Sequence, residues 1–205
     1  MNLSEGGKRK FPHVYLAGSI YQNDWRHSLV SDLRSANATD NGLLRKWPAM
    51  LVETKIGGEA FSWNYCGPYV ASCDHGCAHG PGTHGTNRTM CHPDDYEQKT
   101  RGWVHAHCLE AIRDCDIFFA WLGNSKTPCT AYGTLVEIGY AAAQGKQLVI
   151  AGECVARHCT CESDELWFSR QFPDALVVGA PDPIHAFHQA IHRLRQDHGG
   201  INFFF

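Results

Sequence analysis

Three consecutive segments decide the fold: Asp116-Ile117-Phe118-Phe119-Ala120-Trp121-Leu122, then Ala131-Tyr132-Gly133-Thr134-Leu135-Val136-Glu137-Ile138-Gly139-Tyr140-Ala141-Ala142-Ala143-Gln144-Gly145-Lys146, then Gln147-Leu148-Val149-Ile150-Ala151. The first and last are short apolar runs, as expected of strands buried on both faces of a parallel sheet. The middle segment reads as a helix after a small polar loop. This strand–loop–helix–strand order predicts an open α/β sheet, in which ligands gather at the carboxyl ends of the strands. Glu137 is a lone carboxylate in the first turn of that otherwise apolar helix. It is therefore placed where a substrate would lie, with no basic residue beside it in sequence. That makes Glu137 a candidate catalytic group.

A plainer reading stands beside it. Thr134-x-x-Glu137 fits a capping box, in which both side chains satisfy backbone donors at a helix start. Two features favour chemistry. Val136 and Ile138 flank the carboxylate, and surroundings poor in water raise a carboxyl pKa. Gly133 lets a ligand come close to the backbone just before the helix.

Working outward, Pro12–Ile20 reads as a first strand, and Asp24 as the cap of a helix with Trp25, Leu29, Val30 and Leu33 on its apolar face. Met50-Leu51-Val52 is the best candidate for a second strand. Trp103–Arg113 reads as a helix, and Ala175–Gly179 as the fifth strand. Asp182-Pro183 opens a last helix with Ile184, Phe187, Ile191 and Leu194 on one face. His185, His188, His192 and His198 on that helix are expected to face solvent. Ile201-Asn202-Phe203-Phe204-Phe205 is apolar enough to pack on this subunit or on a neighbour.

From about residue 57 to 101 the periodicity is lost, and the chain fills with Gly, Pro, His and Cys. A compact α/β domain needs no connection of that length, so this segment reads as an irregular insertion with its own means of order. Cys73-x3-Cys77 and His75-x3-His79 have usable metal-ligand spacing, with His84, Cys91 and His92 available to close a tetrahedral zinc site from about four of these residues. A structural zinc would order a loop that has few apolar residues. The alternative is a polar loop whose thiols and imidazoles bond locally. Cys154-x4-Cys159-x-Cys161 with His158 is a weaker pattern, because four ligands in so short a loop strain it. No organic cofactor is implied.

The 205 residues suit a single domain with an insertion, and 43% hydrophobic residues suffice for a core. A net charge of −3 argues against a large nucleic-acid footprint and for a small-molecule substrate. No run is long enough to span a membrane. The polar opening, with Lys8, Arg9 and Lys10, does not read as a signal peptide, so a cytoplasmic protein is expected. In that setting ten Cys point to reduced thiols or metal ligands in preference to disulfides.

Val14-Tyr15-Leu16-Ala17-Gly18-Ser19-Ile20, Asp116-Ile117-Phe118, and Gly133-Thr134-x-x-Glu137-Ile138-Gly139-Tyr140-Ala141 with Gly145-Lys146 together resemble the nucleoside 2-deoxyribosyltransferase-like superfamily. That superfamily includes deoxyribosyltransferases and nucleotide N-glycosidases, and its fold is related to that of TIR domains that cleave NAD. The resemblance implies a flavodoxin-like or Rossmann-like three-layer sandwich with a five-stranded parallel sheet. It implies Glu137 as the nucleophile at C1′ of the sugar, and a loop at Gly18, Ser19 and Ile20 that approaches the sugar or its 5′ phosphate. One departure stands out. Members acting on deoxyribose carry an Asp near the start of the preceding helix; counting back from Asp116, Cys108 holds that place, with His105 and His107 close by. Cys is a poor acceptor for sugar hydroxyls.

The expectation is cleavage or transfer at an N-glycosidic bond of a nucleoside or nucleotide. Tyr15, Tyr21 or Trp25 are candidates to stack on the base, and backbone near Ser19, Gly133 and Thr134 to hold phosphate. NAD glycohydrolysis and a non-catalytic nucleotide-sensing module are the rival readings. A homodimer or larger homo-oligomer is a further possibility.

Overall fold

The computed structural model describes residues 11–20, 24–30, 50–68, 94–123, 132–153 and 171–197. Its strands are β1 (His13–Gly18), β2 (Met50–Ile56), β3 (Glu59–Gly67), β4 (Ile117–Trp121), β5 (Gln147–Ala151) and β6 (Leu176–Val178). Its helices are α1 (Arg26–Leu29), α2 (Asp94–Asp114), α3 (Tyr132–Ala143) and α4 (Pro183–Asp197).

The strands form one six-stranded sheet in the order β2-β3-β1-β4-β5-β6. Only β2 runs antiparallel, paired with β3 from Met50↔Tyr65 to Ile56↔Glu59. The other five are parallel. Counted alone in chain order, these five lie 2-1-3-4-5, the flavodoxin-like arrangement. The sheet is therefore five parallel strands, as expected, plus a sixth antiparallel edge strand.

The second strand expected at Met50-Leu51-Val52 is present as the start of β2, but it does not run parallel. Met50-Leu51-Val52 belongs to the edge strand, and the parallel neighbour of β1 is β3, within the segment read as irregular from residue 57. Gly57 and Gly58 form the link, with φ of 60° and 88°. A two-residue hairpin turn with both φ positive suits Gly-Gly because neither residue has a Cβ. After it, Phe61, Trp63 and Tyr65 are buried while the residues between them are half-buried, which is strand periodicity. The other end of the supposed insertion moves as well, since α2 begins at Asp94. Residues 69–93, which carry Cys73, His75, Cys77, His79, His84, Cys91 and His92, lie outside the described residues.

Strand alternation divides the core. Val14, Leu16, Ile117, Phe119 and Val149 face α1 and α4, together with Trp63 and Phe187. Tyr15, Ala17, Phe118, Ala120, Leu148 and Ile150 face α2 and α3, against Ile112 and Ile138. The central strands β1, β4 and β5 carry buried apolar residues on both faces because helices cover both, giving three layers. Asp182 caps α4 by accepting the His185 N–H at 2.8 Å, with Pro183 as its first residue. His185 and His192 are exposed on α4 and His188 is half-buried. No helix among the described residues is long and apolar enough to cross a membrane.

Arg195 of α4 donates to Glu59 at 2.7 Å, but Glu59 is 72% exposed. Long exposed side chains lose rotamer freedom when paired, and water screens their charges. Glu59→Gln should change unfolding free energy by less than about 1 kcal/mol in denaturant titration. A larger loss would mean that the hairpin is anchored through this pair.

Candidate active site

The flavodoxin-like strand order has its topological switch point between β1 and β4, where connections leave for opposite faces of the sheet. Tyr15 extends from β1 beneath α3, the helix that follows β4. Its hydroxyl donates to Glu137 Oε1 at 2.6 Å, joining residues 122 positions apart in sequence. The Tyr15 ring is fully buried and stacked on Phe118, with centroids 5.3 Å apart and planes 10° apart.

The capping-box reading of Glu137 does not hold. Helix α3 already includes Tyr132, so Thr134 and Glu137 both lie inside it, and Thr134 cannot be its N-cap. Glu137 stands in the second turn instead of the first. Its carboxylate is spent on a tyrosine of the sheet and not on the backbone of its own helix. The argument from neighbours is also corrected. Ile138 is buried, but Val136 is 70% exposed, because adjacent helical residues point about 100° apart. Glu137 is sheltered from the sheet side, by contact with Tyr15.

The electrostatics follow from this placement. Burial raises the Glu137 pKa from its ordinary 4.5, opposed by the Tyr15 hydrogen bond and by the positive charge of Arg26. Burial, then the neighbouring Glu137 charge, pushes the Tyr15 phenol well above its ordinary 10.0, so it remains a donor. Cys108 is the other polar neighbour of that phenol and hydrogen-bonds with it. The order is thus Cys108, Tyr15, Glu137. It is Tyr15, not the residue at 108, that touches the carboxylate.

The remaining candidates are distributed unevenly. Gly18 closes β1 with φ of 147°, and an added Cβ there would lie 3.1 Å from the Trp121 carbonyl and 3.4 Å from Arg26 Nη2. Ser19 is half-buried and Ile20 is 41% exposed at the end of the same strand. Gly133 is exposed on α3, and Thr134 is 3% exposed. His105 is exposed on α2 and His107 is half-buried. Trp25 is only 8% exposed and packs edge-on against Phe119, so it is a core residue and cannot stack on a base. The buried Tyr15 ring cannot either; its hydroxyl is what it offers the site. Tyr21, His158 and Cys154, Cys159 and Cys161 lie outside the described residues. Among the described residues no group of three or more His, Cys, Asp or Glu gathers as metal ligands.

Sequence reasoning missed Arg26 and Gly67. Arg26 is fully buried and paired with Asp24 at 2.6 Å. Asp24-x-Arg26 at the start of an apolar helix was a readable signal of such a pair. Gly67 ends β3 beside Tyr15, where an added Cβ would lie 2.4 Å from the ring; nothing local in the sequence marks it. A cavity of about 460 Å³ lined by Cys115, Asp116, Lys146, Gln147 and Phe172 opens at the strands' amino ends, the sheet edge opposite to Glu137. Burial pushes the Cys115 thiol there up to about 12, which leaves it a poor nucleophile.

The family model described as nucleoside 2-deoxyribosyltransferase matches residues 14–169, a span that takes in all of β1 but its first residue, with Tyr15, Cys108 and Glu137. The chain belongs to the nucleoside 2-deoxyribosyltransferase family. Among solved structures, the CMP N-glycosidase of Clostridium botulinum aligns at 20% identity with a TM-score of 0.35, covering 47% of this chain and 81% of that one. No curated protein matches. Membership in the deoxyribosyltransferase family makes the chain an enzyme of glycosyl chemistry, and its matched span includes both members of the Tyr15–Glu137 pair.

Proposed function

We propose that this enzyme breaks the N-glycosidic bond of a nucleoside or nucleotide, with Glu137 as the nucleophile. The observation that carries this reading is the 2.6 Å bond from the Tyr15 hydroxyl to Glu137 Oε1. It fixes one carboxylate oxygen against the sheet. Among the described residues the other oxygen accepts no hydrogen bond, which leaves its lone pairs for attack. That oxygen forms a bond to C1′ while the C1′–N bond breaks, and the electron pair leaves with the base, which is protonated from solvent. Water or a second base then attacks C1′ and releases the carboxylate, giving hydrolysis or transfer. A sheltered carboxylate is suited to this work, since loss of water strengthens its interaction with the positive charge that develops on the sugar. The zinc expectation for residues 73–92 stands as a separate structural proposal; no step of this chemistry passes through a metal.

The decisive experiment incubates the protein with nucleosides, nucleoside monophosphates and NAD, with chromatographic detection of freed base. Release from none of them would overturn the reading in favour of a nucleotide-sensing module. Release from NAD alone would move it to NAD glycohydrolysis.

A pH profile tests the role of the carboxylate. The nucleophile must be ionised, so kcat/KM should rise with pH along an acid limb whose midpoint lies above 4.5, the direction in which burial moves Glu137. Tyr15→Phe removes the bond that favours the ionised form and should move that limb further upward. An acid limb at or below 4.5 that does not respond to Tyr15→Phe would assign it to another group.

A further inference from the structure

Arg26 is the most completely buried charge among the described residues, and its contacts are concentrated on one short stretch of backbone. Its side chain is 0% exposed. Nε donates to the Leu16 carbonyl at 2.7 Å, Nη2 to the Gly18 carbonyl at 3.0 Å, and Nη1 to the Ser19 carbonyl at 3.2 Å. Nη1 also meets Asp24 Oδ2 at 2.6 Å, while Asp24 Oδ1 accepts the Arg26 backbone N–H at 2.9 Å. The guanidinium lies 4.6 Å from the centre of the Trp25 ring. A planar fork with fixed donors on three nitrogens can engage several separated carbonyls at once; an ammonium has its three donors on a single atom.

Stability is a weak reason for such a group. Desolvating an ion pair costs several kcal/mol per ion, and well-packed apolar residues often do as well. The location of its acceptors is more informative. They end β1 at the switch point, one strand residue beyond Tyr15 and onward. In a trans peptide the C=O and the following N–H point in opposite directions. Holding the Gly18 and Ser19 carbonyls therefore turns the Ser19 and Ile20 N–H groups away from the guanidinium. Gly18 is confined as well, between Arg26 Nη2 and the Trp121 carbonyl.

We propose that Arg26 is a positioning residue of the Glu137 site: its guanidinium sets the course of the backbone from Leu16 to Ser19, and its positive charge acts on the carboxylate that reacts. This rests on Glu137 being the reacting group. The titratable and charged groups around the pair are Tyr15 from β1, Cys108 from α2, Asp24 beside α1, and Tyr65 from β3, which lies near both Arg26 and Asp24.

Arg26→Lys and Arg26→Met separate the two effects. Lysine keeps a charge and loses the fork, so KM should rise about tenfold with the acid limb of kcat/KM unmoved. Methionine loses both, so the limb should also move to higher pH. The same titration is read without turnover, from the carboxyl carbon resonance of Glu137 in labelled protein, assigned with Glu137→Gln. The Ser19 and Ile20 amides, followed by hydrogen exchange, should exchange faster in both variants. A Lys variant with wild-type KM and wild-type exchange at Ser19 and Ile20, even with a lowered Tm, would overturn the proposal and leave a merely structural arginine. The resonance and exchange readouts decide it even if the wild-type protein frees no base, and if the Met variant does not fold, the Lys variant decides alone.

Discussion

Replacing Glu137 by Gln is expected to lower base release by about a hundredfold or more, equivalent to about 2.7 kcal/mol of transition-state stabilisation, while leaving the fold at least as stable. The two halves of this result have one cause. Gln fills the same space on α3, and its amide oxygen still accepts the Tyr15 hydroxyl, so the contact at 2.6 Å keeps a partner. What disappears is a charge held in a sheltered place. The folded-state pKa of Glu137 is raised above 4.5. The folded protein therefore holds that proton more tightly than the unfolded chain, and stability falls as pH rises from about 4.5 through the folded value. Gln carries no such penalty, so Tm of the variant should equal or exceed that of the parent at neutral pH and converge with it in acid. A residue that lowers stability while supporting activity is the usual signature of a functional site. Wild-type turnover in the Gln variant would remove the centre of the mechanism. A large fall in Tm would instead show that Glu137 holds α3 to the sheet.

Much of this was legible locally, and what was not has identifiable causes. β1, β4 and β5 are apolar on both faces, so continuous hydrophobic runs marked them within a residue or two of their observed ends. The last helix was readable from Asp182-Pro183 and the spacing of Phe187, Ile191 and Leu194. β3 was missed although its signal was present: Gly57-Gly58 followed by Phe61, Trp63 and Tyr65 at alternate positions. The Gly, Cys and His that crowd the chain beyond Tyr65 mask this short alternation when the segment is taken whole. The position of Glu137 near the carboxyl edge of the sheet followed from fold class, because topology alone starts the helix after β4 there. Its partner could not be found that way. Tyr15 lies 122 residues earlier, and only the pairing of β1 with β4 brings it beneath α3. The same reasoning explains Trp25, which was a plausible stacking residue by type and is a core residue by the direction α1 takes. Residues 21–23, 69–93, 124–131 and 154–170 lie outside the described residues, and the metal candidates are among them.

Gly67→Ala should cost about a hundredfold in kcat, although the substituted atom touches neither substrate nor carboxylate. A Cβ at position 67 would stand 2.4 Å from Tyr15 Cε2, 2.6 Å from Cδ2 and 3.4 Å from the Ala111 Cβ. The first two distances lie far inside van der Waals contact, so one side must move. β3 is the less free to move, because it is paired with β1 on one side and β2 on the other. Tyr15 has little freedom either: its ring is stacked on Phe118, and its hydroxyl is tied to Glu137. Displacing the ring by even 1 Å would pull the hydroxyl from a 2.6 Å bond and release the carboxylate from its aim. Overpacking of this kind also destabilises by about 1–3 kcal/mol, so Tm must be measured beside turnover, and activity compared at temperatures where both proteins are folded. The pH profile then separates loss of aim from loss of fold. If the alanine acts by moving Tyr15, the acid limb shifts upward as in Tyr15→Phe, and adding Gly67→Ala to Tyr15→Phe lowers kcat little further, since both remove one contact. Effects that multiply in the double variant, or a limb that stays in place, would show that Gly67 matters only to the packing of β3 against α2 and that the phenol tolerates displacement.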